Sequence, residues 1–167
     1  MARGCAVGID PGERWVGVAR ATRGSSLALP VGTLDRRQGN GDLRDALRRM
    51  LGDEDVSELV IGVPLRPDGR EDAQATAFRE FGEALAASLG AECIAQDERF
   101  SSDAAEPRPT PGVPGTSRKS RAIGRKSVKR QRRERERSHA DAAARILQRW
   151  LDAREGQQAR ELADSGA

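Results

Sequence analysis

The chain has no tyrosine, one histidine (His139), two cysteines, two tryptophans and three phenylalanines in 167 residues. Each scarcity excludes something. With aromatics at 3% and a mean hydropathy of −0.68, a core has to be built from Val, Leu, Ile and Ala. Two cysteines and one histidine are too few for a structural zinc site or a disulfide framework. Cys5 and Cys93 lie in apolar, strand-like runs and read as small buried hydrophobes. No apolar run approaches the roughly 20 residues that cross a bilayer. The N-terminus reaches Asp10 without the apolar stretch of a signal peptide, so a cytoplasmic protein without membrane association is expected. The length fits one domain with a real core.

What is abundant is charge, and it is unevenly placed. Between Arg118 and Arg137 stand eleven Lys/Arg and two Glu, a net of +9 in a chain whose total is +3, so the other 147 residues carry −6. Just before this stretch come Pro107, Pro109, Pro111 and Pro114, with Gly112 and Gly115. No apolar period is visible across 107–137, and a disordered basic insertion is expected there. Such a segment tracks phosphates whatever the base sequence, with Lys119, Arg121, Arg125, Lys126, Lys129 and Arg130 as contact candidates. The plainer alternative is a solvated linker. Residues 101–149 contain no aromatic, so base stacking is not expected from this region.

Elsewhere the periodicities are clear. Residues 4–10, 15–21 and 27–34 read as three successive strands, with Pro30 arguing against a central position for the third. Leu43, Leu47, Met50 and Leu51 mark a helix over 42–51. Residues 58–63 contain the continuous apolar run Leu59-Val60-Ile61, expected of a strand covered on both faces. A long helix over 71–89 is stopped by Gly90, and 92–96 is a fifth strand. Ser138 opens a last helix with His139, Ala143, Ile146, Leu147 and Trp150 on one stripe. Residues 155–167 read as a frayed tail, leaving one domain over 1–154. The order βββ-α-β-α-β-α implies an α/β protein with a mixed five-stranded sheet flanked by helices.

Three motifs carry chemistry. In Gly8-Ile9-Asp10-Pro11-Gly12 a carboxylate ends a buried strand, where rigid backbone suits a metal ligand. Gly17, in the strand that follows, leaves room for another backbone or for substrate. Val60 to Leu65 runs through Gly62 and Pro64 into a loop with Asp68, Gly69 and Glu71. Asp97-Glu98-Arg99 ends the fifth strand. Adjacent side chains on a strand point to opposite faces, so one of the two acids faces the site, and Arg99 has the planar fork for a phosphate. Taken singly, each motif also reads as an ordinary turn: an Asp bonding its own backbone, a plain loop, a solvated charged corner.

Together, these motifs and the helix over 142–151 resemble the YqgF/RuvX family of ribonuclease H-like nucleases, over 4–106 and 138–152. The resemblance implies a ribonuclease H-like fold and metal-dependent phosphodiester hydrolysis with Mg2+ or Mn2+. It points to Asp10, Glu98, Asp97 and His139 as catalytic candidates, and to nucleic acid as partner. Precursor 16S rRNA is the substrate it implies first, structured DNA such as a Holliday junction second, and ribosomal particles are a further partner.

The chain departs from the family at two points. Trp15 stands where a basic residue is usual. His139 stands where the family's last helix has aspartate, and the nearest acid is Asp141. Two residues on a helix are about 200° apart, so Asp141 faces away from the stripe that holds His139. Ser138-His139-Ala140-Asp141 also fits a capping box. The candidate metal ligands are therefore Asp10, Glu98, His139 and, less readily, Asp141. Imidazole suits Mn2+ better than Mg2+. A non-catalytic RNA-binding assembly factor is the alternative. An actin-type ATPase is not expected, because that class needs two such domains and this length has room for one.

Overall fold

The computed structural model describes residues 4–38, 40–52, 54–98 and 121–165. Five strands form one sheet: β1 (Cys5–Pro11), β2 (Trp15–Ala21), β3 (Leu29–Asp35), β4 (Val56–Val63) and β5 (Glu92–Asp97), in spatial order β3-β2-β1-β4-β5. β1, β2 and β3 meander antiparallel, whereas β4 runs parallel to β1 and β5 parallel to β4. Pro30 lies in an edge strand, as its missing N–H requires. The helices are α1 (Asn40–Leu51), α2 (Ala73–Leu89) and α3 (Arg121–Ser165), with a 3-10 turn at Arg36–Gln38. This is the mixed, helix-flanked sheet that the resemblance implies.

Strand parity sorts the sheet into two unlike faces. Val7, Ile9, Val16, Val18, Leu34, Leu59, Ile61 and Val63 pack with Leu43, Leu47 and Leu51 of α1 and Phe81 and Leu85 of α2. The opposite face is built from small residues. Ala6, Ala19, Ala21 and Val60 meet Ala143, Ile146, Leu147 and Leu151 of α3. Gly8, Gly17 and Gly62 belong to this face. A Cβ on Gly17 would come within 2.0 Å of the His139 carbonyl oxygen, and one on Gly8 within 2.6 Å of the Ala143 carbonyl oxygen. The α3 backbone therefore lies directly on the sheet, which only missing side chains permit. Gly17 does leave room for a backbone, and that backbone is α3.

α3 corrects the boundary set by apolar pattern. It begins by Arg121, not Ser138, and runs on to Ser165. Arg, Lys, Gln and Glu dominate 121–137 and are good helix formers, but Ala122, Ile123 and Val128 are too few and too scattered to leave an amphipathic signature. Ser138 is consequently inside a helix, and the capping box is not formed. The real N-cap of this type is Asp72, whose Oδ1 accepts from the Ala75 amide at 2.8 Å, ahead of α2. Among the described residues, no helix is long and apolar enough to cross a membrane.

Candidate active site

The carboxyl end of β1 gathers the candidate chemistry. Asp10 pairs with Gly17 across the β1–β2 hairpin, whose turn is closed by the Gly12 amide donating to the Trp15 carbonyl at 3.0 Å. Arg36 buttresses this turn. Its guanidinium donates to the Gly12 carbonyl at 3.3 Å and lies over the Phe81 ring at 4.6 Å. Nothing in the local sequence around Asp10 signals that support, because Arg36 comes from the far end of β3.

Parity places Asp10 on the α3 face, with Gly8. There it meets His139: Nδ1 lies 2.8 Å from Asp10 Oδ2, and both side chains are mostly buried, at 34% and 19% exposed. A carboxylate only accepts, so Nδ1 carries the proton in this pair. His139 is thus directed at Asp10 itself. It fixes the carboxylate's orientation by a charge-assisted bond.

The third member arrives on β5. Cys93 packs on the α1/α2 face and Ile94 on the α3 face, so alternation assigns Asp97 to the former and Glu98 to the latter. The Glu98 carboxyl confirms this placement: it would lie 2.9 Å from a Cβ on Gly62, and the Glu98 amide donates to the Val63 carbonyl at 3.1 Å. Gly62 stands one residue beyond the Ile9–Ile61 pairing, beside Asp10 on the neighbouring strand. Adjacent strands are about 4.8 Å apart, so Asp10 and Glu98 lie on one face at the same end of the sheet. Gly62 acts here as a missing wall that lets Glu98 reach over β4, a role invisible until the β4–β5 register is known.

The remaining candidates fall elsewhere. Asp97 belongs to the opposite face by parity, and Asp141 is exposed on the solvent side of α3. Arg99 and Lys119 lie outside the described residues. Arg121, Arg125, Lys126, Lys129 and Arg130 stand on the part of α3 that precedes its contact with the sheet. Trp15 has the Arg14 guanidinium 4.8 Å above its ring. The loop after β4 uses its acids locally. Asp68 accepts from the Arg70 amide, Glu71 pairs with Arg79 at 3.1 Å, and Asp72 caps α2.

Among the described residues, no group of three or more His, Cys, Asp or Glu is gathered closely enough to hold a metal ion by itself. The two-carboxylate edge nevertheless fits one kind of cation. Mg2+ and similar hard ions are held by one or two carboxylates, with water and substrate phosphate supplying the other oxygens. Asp10 and Glu98 offer that donor set, and the His139–Asp10 bond is the support that metal-binding carboxylates commonly have.

The chain is similar to known proteins along most of its length. The RuvX family model, described as Holliday junction resolvase, matches residues 4–153. A protein of Thermosynechococcus vestitus, named "Putative pre-16S rRNA nuclease", is 33% identical over 153 residues, covering 89% of this chain and 87% of the relative. Proteins of the same name from Sphingopyxis alaskensis and Myxococcus xanthus are 36% and 35% identical, over 87% and 88% of this chain and 85% and 87% of the relatives.

Proposed function

The chain belongs to the RuvX family, and on that premise we propose that it is a cytoplasmic, divalent-metal-dependent nuclease that trims precursor 16S rRNA. The observation that carries this reading is the placement of Asp10, bonded by His139, and of Glu98 on one face of the sheet at the carboxyl ends of β1 and β5. Phosphodiester hydrolysis needs negative charge neutralised on the leaving oxygen and a deprotonated water; Asp10 and Glu98 would hold Mg2+ or Mn2+, which would supply both functions. His139 is a positioning residue that holds Asp10 in one rotamer and stabilises its charge. Asp97, on the other face, supports the strand end. Residues 1–154 act as one domain, whose basic segment before the sheet, including Lys119 and Arg121, meets the substrate together with Arg99.

The test is cleavage of labelled precursor 16S rRNA by the pure protein with Mg2+ or Mn2+, beside a four-way DNA junction as second substrate. Metal-dependent cleavage that Asp10→Asn abolishes supports the reading. Cleavage that persists at full rate in Asp10→Asn overturns it. Preference for the junction replaces rRNA by structured DNA as substrate.

A second reading has its own observation. The family's helix aspartate is replaced by His139, and Asp141 points to solvent. An RNA-binding factor acting on ribosomal particles without cleavage would tolerate that loss. It requires RNA binding with no turnover in any divalent metal.

A further inference from the structure

Arg14, Arg36 and Arg37 come together at the end of the sheet that holds Asp10, and Arg36 alone is turned inward. Its side chain reaches the Gly12 carbonyl and the Phe81 ring. Its amide donates to the Arg14 carbonyl at 2.8 Å, which ties the 3-10 turn after β3 to the β1–β2 hairpin. The other two arginines meet over one carboxylate. Asp35 Oδ1 accepts from the Arg37 amide and from its Nε, both at 3.1 Å, and Oδ2 accepts from Nη2 at 3.0 Å. Arg14 Nε lies 3.9 Å from the same Oδ2, and its guanidinium stands over the Trp15 ring. The Asp35 side chain is 18% exposed, whereas those of Arg14 and Arg37 are 52% and 63% exposed. The bonds from Arg37 hold the Asp35 carboxyl down to about 2 from the usual 3.8, so the cluster stays ionised near neutral pH.

Strand parity puts this cluster on the side of Asp10. Leu34 and Val16 pack on the α1/α2 face, so the next positions along their strands, Asp35 and Trp15, take the other face, and these two are cross-strand partners. Asp10 is on that same face, where it meets His139. Asp10 pairs with Gly17, and Gly17 pairs with Thr33, two residues before Asp35. With strands about 4.8 Å apart and a rise of about 3.4 Å per residue, Asp35 stands about 12 Å from Asp10, outward from the sheet end. That is too far to grip a phosphate held at Asp10, and it suits a neighbouring phosphate on the same strand of substrate.

We propose that Arg14 and Arg37, set in place by Asp35, form a subsite for a phosphodiester of the substrate strand that flanks the one at Asp10. This rests on the nuclease reading and adds a substrate contact to it. A guanidinium has five N–H donors in a planar fork, and Asp35 takes two from that of Arg37. Asp35 is already satisfied by Arg37, so the second guanidinium beside it adds positive charge that the fold does not need. Residues 13–14 and 35–37 carry three Arg, one Glu and one Asp, a net of +1 on a body whose charge is −6. That net matches the single negative charge of a phosphodiester. Both forks are oriented beforehand, one by a bidentate ion pair and the other by an aromatic ring, so less side-chain freedom is lost when an anion binds. Such a contact fixes where the strand lies and leaves the bulk of the affinity to other cations.

The experiment compares full-length variants. R14Q/R37Q empties the subsite. R66Q/R70Q removes the same charge from the loop after β4, at the same end of the sheet, and R14K/R37K keeps the charge. Binding of a fluorescent precursor 16S rRNA fragment and of a four-way DNA junction is measured by anisotropy in chelator, so that no cleavage intervenes. A phosphodiester is common to both, and the variants are scored on whichever the parent chain binds more tightly. R14Q/R37Q is expected to lose roughly tenfold in affinity and to flatten the log–log salt slope by about one. R66Q/R70Q is expected to lose less than about threefold with the slope unchanged, and R14K/R37K to keep the parent slope. Equal losses in the two glutamine variants, an unchanged slope in R14Q/R37Q, or no nucleic-acid binding by the parent chain overturns the subsite. A flattened slope in R14K/R37K overturns it as well, because the arginines would then hold the turn and not a phosphate. Cleavage with Mg2+ or Mn2+ is scored separately. Selective loss of binding without cleavage leaves the subsite and removes the nuclease; cleavage with equal losses does the reverse.

Discussion

At the scale of single residues, the site depends on two side chains that carry charge and three that are missing. His139→Gln keeps a donor for Asp10 Oδ2, whereas His139→Ala removes it, so the two variants separate positioning from bulk. The expected outcome is a kcat loss of roughly 10- to 100-fold for Ala, substantial recovery with Gln, and little change in KM for precursor RNA. A loss of the same size in both variants would mean that the imidazole acts by something other than the bond to Asp10. The glycines are as specific. Gly17→Ala drives a Cβ into a backbone carbonyl, which no rotamer change relieves, and thermal unfolding should show a loss of about 2 kcal/mol or more. Much of this scale was legible. Alternation pointed to one acid of the Asp97-Glu98 pair facing the site, and the apolar stripe put His139 on the sheet side. The Glu98–Gly62 contact was not legible, because it depends on how β5 is registered against β4. The burial of Cys5 also has a measurable consequence. Burial, then the nearby Glu54 carboxylate, pushes its thiol up to about 11 from the usual 9.0. In the unfolded chain the thiol ionises first, so this contribution to stability is complete below pH 9 and fades as pH climbs towards 11. With no tyrosine to ionise in the same range, denaturation midpoints of the parent and Cys5→Ser should converge as pH rises through that window.

At the scale of elements, α3 shows why hydrophobic period locates a helix face better than a helix end. The apolar stripe of Ala140, Ala143, Ile146 and Leu147 begins where the sheet begins, not where the helix does. A capped start at Ser138 and an interior Ser138 make opposite predictions. Replacing a capping serine by alanine costs about 1 kcal/mol, whereas at an interior exposed position alanine is the better helix former. Ser138→Ala is therefore expected to leave the melting temperature unchanged or slightly raised. Asp72→Ala, at the N-cap of α2, is expected to lower stability by about 1 kcal/mol. Equal destabilisation by the two substitutions, read in parallel melts, would restore the capping box and shorten the helix. The strands needed no such correction in kind. Their ends differ from the sequence reading by a residue or two, which is where hydrogen bonding, not side-chain pattern, sets the boundary.

At the scale of the whole molecule, the formal charge of +3 is the sum of an acidic body and a basic arm. A nucleic acid approaching the body meets Asp10 and Glu98 among a net −6, which repels phosphate, so affinity has to come from elsewhere on the chain. The nine cations between Arg121 and Arg137 are the available source. Replacing all nine by glutamine turns the chain from +3 to −6 and should do more than weaken binding. Counterion release makes the logarithm of affinity fall with the logarithm of salt at a slope near −0.9 per phosphate neutralised. Four or more contacts imply a parent chain that loses roughly 100-fold in RNA affinity between about 50 and 200 mM salt. The arm-neutralised chain should show a slope shallower than about −2, with affinity low even at the bottom of that range. If instead both chains gave the same slope, the phosphate contacts would lie on the body, and the uneven charge so evident in the sequence would have no part in holding substrate.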